Sequence, residues 1–198
     1  MLDSTRPIGK TLNTSNGRPE TSAGVLPQWH VLRATYAREL KVQDQLREHG
    51  IRTFIPMTWH KSDPATGKQQ KTLVPAITGL VFAQATREAL DAYIRSFGDA
   101  RPVNYYWDRT ANRPLTIPDK AMEDFIAVAS TMDEDLIYIT EISAKLREGQ
   151  TVKVKEGPFK GVEGKIVRIR KSRRILVELP GMMAVASTYV APEFLEII

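Results

Sequence analysis

The chain has 198 residues, 42% of them hydrophobic, and its 28 basic and 23 acidic side chains leave a net charge of +5. That length allows one large domain or two small ones, and no apolar run approaches the roughly 20 residues needed to span a bilayer. The absence of cysteine excludes disulfides and thiolate metal sites, and the first residues lack the apolar stretch of a signal peptide, so a cytoplasmic, non-membrane protein is expected.

Residues 1–28 are rich in Ser, Thr, Asn, Gly and Pro, without hydrophobic period, and read as a mobile tail. Trp29 to Ala34 reads as a first strand. A helix follows from about Ala37 to His49, with Leu40, Val42 and Leu46 as buried candidates and Gly50 as its stop. Arg52 to Pro56 reads as a second strand. Ser62 to Gln70 is polar, with Pro64 and Gly67, and reads as a hairpin loop. Leu73 to Ala83 is apolar but interrupted by Pro75 and Gly79, an irregular lead-in to a buried strand. Thr86 can cap a helix whose Leu90, Tyr93, Ile94 and Phe97 fall at helical spacing. Val103 to Trp107 reads as a strand and Asp108 to Arg113 as a turn. Pro118 and Asp119 open a third helix with Ala121, Met122, Phe125, Ile126 and Ala129 on its apolar stripe. This order predicts an α+β unit over residues 29–131, an antiparallel sheet with packed helices.

Residues 132–144 hold four acidic and no basic side chains and read as a solvated acidic linker. The Asp133-Glu134-Asp135 cluster has no third ligand type nearby and is not read as a metal site. Residues 145–198 carry 11 basic against six acidic side chains, the densest positive charge in the chain, which permits nucleic-acid contact. Within them Val152 and Val154 alternate with Thr151, Lys153 and Lys155 as in a half-buried strand. Gly157-Pro158 breaks that strand. Gly161 and Gly164 let the chain turn before Val167 and Ile169 resume the alternation. Further short strands at Arg174–Leu179, Met182–Ala186 and Phe194–Ile198 predict a small five-stranded SH3-like barrel, tethered by the linker.

Glu156-Gly-Pro-Phe-Lys-Gly-Val-Glu-Gly164 resembles the KOW motif of transcription elongation factors and some ribosomal proteins. Trp29-His-Val-Leu-Arg33, the helix after it and Phe54-Ile-Pro56 resemble the N-terminal domain of NusG-type elongation factors, so the resemblance covers about residues 29–198. It implies a non-enzymatic, cofactor-free monomer whose first domain docks an apolar surface on RNA polymerase and favours the processive state, near the nucleic acid of the elongation complex. Stabilisation of that kind needs only a higher affinity for one state than for the other. The implied polymerase contacts are Ile77, Gly79 and Leu80, with Phe54 and Trp59 as neighbours. Ile77 and Leu80 depart from the aromatic residues the family carries there. Asp91-Ala-Tyr93 stands where a specialised relative has a polar triplet, so that contact does not carry over. The long tail, Thr116-Ile-Pro-Asp119 and Met122–Phe125 resemble the UpxY-type antiterminators of capsular polysaccharide operons.

In the family the barrel recruits a ribosomal protein or the termination factor Rho. The resemblance implies either that Phe159, beside Lys160, in an exposed turn anchors such a partner, or that Lys165, Arg168, Arg170, Lys171, Arg173 and Arg174 touch RNA instead. Two alternatives stay open: a ribosomal-type KOW protein that binds RNA through the barrel, and a general housekeeping NusG. No arrangement for catalysis is visible: His30, His49 and His60 are scattered, and Glu123 and Asp124 point to different sides of one helix.

Overall fold

The computed structural model describes residues 26–61, 71–143, 146 and 148–198. The expected tail lies almost wholly outside the described residues, as does the loop 62–70.

The first module is built on β1 (Gln28–Ala34), which pairs antiparallel with β5 (Leu80–Ala85) on one edge. On its other edge it pairs with β6 (Val103–Tyr105) and β9 (Thr116–Ile117), and β2 (Arg52–Phe54) extends the sheet beyond β5. Both faces of β1 and β5 are apolar, so both must be covered. On one face α1 (Glu39–Glu48) and α2 (Arg87–Arg95) enclose Leu32, Val42, Leu46, Val81, Ala83, Leu90 and Tyr93. Thr86 caps α2 as its sequence predicts, its hydroxyl accepting from the Ala89 amide at 3.3 Å, and Gly50 follows α1 at φ +72°. On the other face Trp29, Val31, Leu80 and Phe82 meet α3 (Asp119–Ala129). Two ribbons complete the module, β3 (Met57–Lys61) with β4 (Lys71–Pro75) and β7 (Trp107–Asp108) with β8 (Arg113–Pro114).

The second module is a six-stranded antiparallel sheet in the order β10, β14, β13, β12, β11, β15. Five strands come from the expected barrel: β11 (Thr151–Val154), β12 (Glu163–Ile169), β13 (Ser172–Leu179), β14 (Met183–Tyr189) and β15 (Leu195–Ile197). The sixth, β10 (Ile137–Ile139), comes from the stretch read as a solvated linker and pairs with β14. Its run of four apolar residues, Leu136 to Ile139, outweighs the acidic residues around it. Leu136 is buried, and Ile137 and Ile139 pack on Val167, Leu176, Ala184 and Ala186. Gly161 adopts φ +89° as the turn requires. Gly164 serves differently: it sits within β12, where a Cβ would lie 2.6 Å from the Leu176 carbonyl oxygen.

The modules are not a sheet domain and a free barrel. Their buried side chains form one cluster running from Trp29, Phe82 and Phe125 to Val152, Ile175, Val177, Leu179 and Val185. The cause is α3, which packs on β13 and β14 as well as on β1. Phe125 meets the rings of Phe54 and Phe82 on the sheet side, centroids 6.3 and 6.0 Å away. Lys120 and Asp124 lie on the barrel side, where the Lys120 ammonium reaches the Gly161 carbonyl at 3.2 Å. Val128 is one turn beyond Asp124 and fully buried. A helix apolar on more than one stripe belongs inside a core.

Phe125→Ala is expected to lower unfolding stability by about 3–5 kcal/mol, measured by urea denaturation. Because α3 is core to both modules, native-state hydrogen exchange should show β1 and β13 losing protection in one event.

Candidate functional site

The stretch after β4 is shaped by one close backbone approach. The Ala76 amide donates to the Pro56 carbonyl at 2.8 Å, and the Leu80 amide to that of Ile77 at 3.4 Å, closing a turn. Gly79 sits in it at φ +76°, and its carbonyl accepts from the Ala34 amide at 2.7 Å. A Cβ at Gly79 would stand 2.6 Å from the Ala34 oxygen, so only glycine lets the turn lie on the end of β1.

This turn separates residues that the sequence reading groups as one docking surface. Leu80 is 1% exposed and belongs to the sheet core. As the first residue of β5 it shares a face with Phe82 and points at α3, so it offers nothing to a partner. Ile77 is half-buried and packs at the margin of the same core. Phe54 is half-buried against Phe125. Trp59 is 38% exposed, and its indole N–H donates to the Met132 carbonyl at 2.8 Å. The surface left open therefore comprises Ile77, part of Phe54 and the Trp59 ring.

The ribbon carrying Trp59 rests on the stretch before the barrel. Lys71 forms an ion pair with Glu134, which lowers the carboxyl pKa through that hydrogen bond. The Tyr138 hydroxyl donates to the Met57 carbonyl at 3.0 Å, and burial pushes its pKa up to about 12. Asp133 turns the chain by accepting from the Asp135 amide at 2.9 Å. The apolar alternation of Leu136 and Tyr138 is the sequence signal for this contact, obscured by the acidic residues before it.

On the barrel two residues expected on an exposed surface are buried. Phe159 is 5% exposed. The turn around it is outside, but its ring folds inward beneath Phe194 and Val190 into the shared core. Arg174 is 8% exposed. Its guanidinium donates to the Asp135 carbonyl at 2.7 Å and the Ser187 carbonyl at 2.8 Å, tying the former linker to β14. The pairing of β13 with β14 shifts register between Arg174 and Leu176, which aims the arginine at those carbonyls. Lys160 is exposed and Lys165 half-buried, whereas Arg168, Arg170, Lys171 and Arg173 are all exposed.

Sequence reasoning misses a polar cluster at the edge of the first sheet. The Tyr105 hydroxyl donates to Asp91 at 2.8 Å and Arg87 Nε to the same oxygen at 2.9 Å. The Arg87 guanidinium also lies 4.7 Å from the Tyr105 ring centre. Burial, then the bond to Asp91, drives the Tyr105 pKa upward. His30 stacks at 5.8 Å from Tyr105, is 4% exposed, and has no partner for Nδ1. Burial, helped by the Arg87 charge, lowers its pKa from 6.5. Asp91, at the polar-triplet position, is thus held inside the molecule's own network.

A sheet covered by helices on both faces is followed by an antiparallel β module opened by a glycine turn, and this order of modules is the one to compare with known families. The family model described as transcription termination factor nusG matches residues 27–126, and the KOW motif model matches residues 148–178. The chain belongs to the NusG family and is a transcription elongation or antitermination factor. Among solved structures it is similar to one titled "Domain interaction in Thermotoga maritima NusG", at 18% identity and a TM-score of 0.43, over 87% of this chain and 97% of that one. No curated protein matches. No helix among the described residues is long and apolar enough to cross a membrane.

Gly79→Ala should destabilise the fold by about 1–3 kcal/mol through backbone strain, read from thermal melting. For His30, the unfolded chain takes up a proton near pH 6.5 that the fold resists. Its contribution is therefore complete above that pH and lost as pH falls below it. Wild-type stability should fall from about pH 7 to about pH 5, and His30→Leu should flatten the curve in that window in urea titrations.

Proposed function

We propose that this protein docks its first module on RNA polymerase and promotes processive transcription of a particular polysaccharide operon, in the manner of the UpxY-type antiterminators. The observation that supports docking on RNA polymerase is the match of both modules in the family's order, residues 27–126 and then 148–178. Half-exposed Ile77 and Phe54 beside exposed Trp59 supply the apolar contact, since accessible apolar patches tend to be partner sites. Thr116-Ile-Pro-Asp119 and Met122–Phe125 support the specialised relative over a housekeeping factor. Phe159 is buried beneath Phe194 and Val190, so recruitment of a ribosomal protein or Rho through its ring would require that part of the barrel to open.

Ile77→Asp is expected to weaken binding to purified RNA polymerase at least about tenfold, or roughly 1.4 kcal/mol, measured well below a melting temperature that its partial burial should lower somewhat. Leu80→Asp is a folding variant and should not be used for this purpose. Polymerase binding that survives Ile77→Asp together with Trp59→Ala removes this docking surface. In cells, deletion should shorten transcripts of one polysaccharide operon. A drop spread over all operons would indicate a housekeeping role instead.

A further inference from the structure

We propose that the cleft between the β7–β8 ribbon and the barrel binds a small phosphorylated sugar. The inference is independent of polymerase docking. The cleft has a volume of about 760 Å³, within the roughly 300–1,000 Å³ of small-molecule sites. One wall is the ribbon and the strand after it, with buried Leu115 and Ile117 innermost. A second is Pro118 and Asp119, where α3 begins. The third is Pro180-Gly181, the turn from β13 to β14. A Cβ at Gly181 would stand 3.8 Å from Leu115 Cδ1, so the barrel turn closes one side. Both modules therefore contribute to the cleft.

The ribbon carries two guanidinium groups that the fold leaves without an anion. Arg113 stands across from Asp108 in the strand register, where opposite charges normally pair. The Asp108 carboxylate turns the chain instead, accepting from the Thr110 and Ala111 amides at 2.9 and 3.0 Å. Neither Arg113 nor Arg109 has a hydrogen bond or ion pair among the described residues. By contrast, Arg52, Lys71, Arg87, Lys120 and Lys153 each lie against a carboxylate. Asp119, the other carboxylate of the cleft, lies in the field of Arg52. The Arg52 pKa is raised first by its bond to Glu123 and also by the Asp119 charge. Both carboxylates are thus engaged, and both guanidinium groups are not.

Planar guanidinium forks match phosphate oxygens in pairs. Beside them Tyr106 and Trp107 are 41% and 48% exposed. The Trp107 indole N–H donates to Asn112 at 3.3 Å, which holds the ring on the ribbon. Such rings offer a flat apolar body with a polar edge, a surface suited to the C–H face of a sugar. Gln28, Thr110 and Thr116 supply the donors and acceptors that sugar hydroxyls need. An acid with a purely apolar body would leave those groups without partners. Inorganic phosphate would leave the rings uncovered. Simple sugar phosphates and nucleotide sugars share the chemistry the cleft selects.

The test is isothermal titration of the full chain, without polymerase, with glucosyl phosphate, UDP-glucose, glucose and inorganic phosphate. At least one of the first two should bind with a Kd below about 1 mM. Glucose and inorganic phosphate should each bind at least about tenfold more weakly, since each satisfies half of the site. Preference for glucosyl phosphate or for UDP-glucose names the source of the phosphate, and either supports the site. Bound ligand should slow hydrogen exchange in residues 107–119 and at Gly181 together, because both modules line the cleft. The variant Arg109→Gln, Arg113→Gln should weaken binding at least about tenfold and keep its melting temperature, since neither side chain is bonded. A charge-matched variant on the barrel, Arg168→Gln, Arg173→Gln, should bind as wild type does. Absence of binding by both sugar phosphates, inorganic phosphate binding as tightly as they do, or equal weakening in the two variants overturns the proposal. So does displacement by single-stranded RNA or polyglutamate as strong as by the sugar phosphate at equal charge.

Discussion

The structure depends on one helix that buries apolar side chains toward both modules. α3 presents Phe125 to the rings of the first sheet and Val128 toward the barrel strands, and both are fully buried. The Lys120 contacts to Asp124, the Gly161 carbonyl and Glu163 decorate the same junction. Lys120 is more than half exposed, so these contacts add little. Apolar burial decides the arrangement. It also explains why the segment before the barrel cannot be a free tether: with α3 held between the modules, Leu136 and Tyr138 are drawn into the same core and β10 joins the barrel sheet.

The other face of the first sheet is a separate matter. Its cluster under α1 and α2 shares no member with the one around α3. The sheet therefore divides the molecule into a helical layer that belongs to the first module alone and a second layer held in common. Ile77 and Phe54 border the common layer, and the Trp59 indole is bonded to the main chain just after α3. The apolar residues proposed for docking are thus adjacent to the junction of the two modules, whereas the basic hairpin tip stands at the end of β12 and β13.

Much of the fold is legible in the residues. The apolar stripes of the helices, the Thr86 cap, and the alternation around Val152 and Val154 each specify local geometry. What they leave open is direction. Leu80 and Phe82 face α3 while Val81 and Ala83 face the opposite layer, so β5 is apolar throughout and its sequence cannot say which residue meets a partner. The neighbours of Phe159 form a turn and suggest an exposed ring, yet a turn fixes the backbone and not the side chain. Arg174 sits among charged neighbours in sequence, but a register shift decides that it alone bonds to carbonyls. The second apolar side of α3 is visible in Val128, yet nothing local says what covers it.

The order of strands in the barrel has a consequence for synthesis. β11 pairs with β15, so the barrel sheet is completed only by Leu195–Ile197. A chain leaving the ribosome from its N-terminus will have made its first sheet and α3 well before those residues appear. During that interval the outward side of the helix stays wet, and the nascent molecule presents a sticky ridge to chaperones and to its neighbours on the polysome.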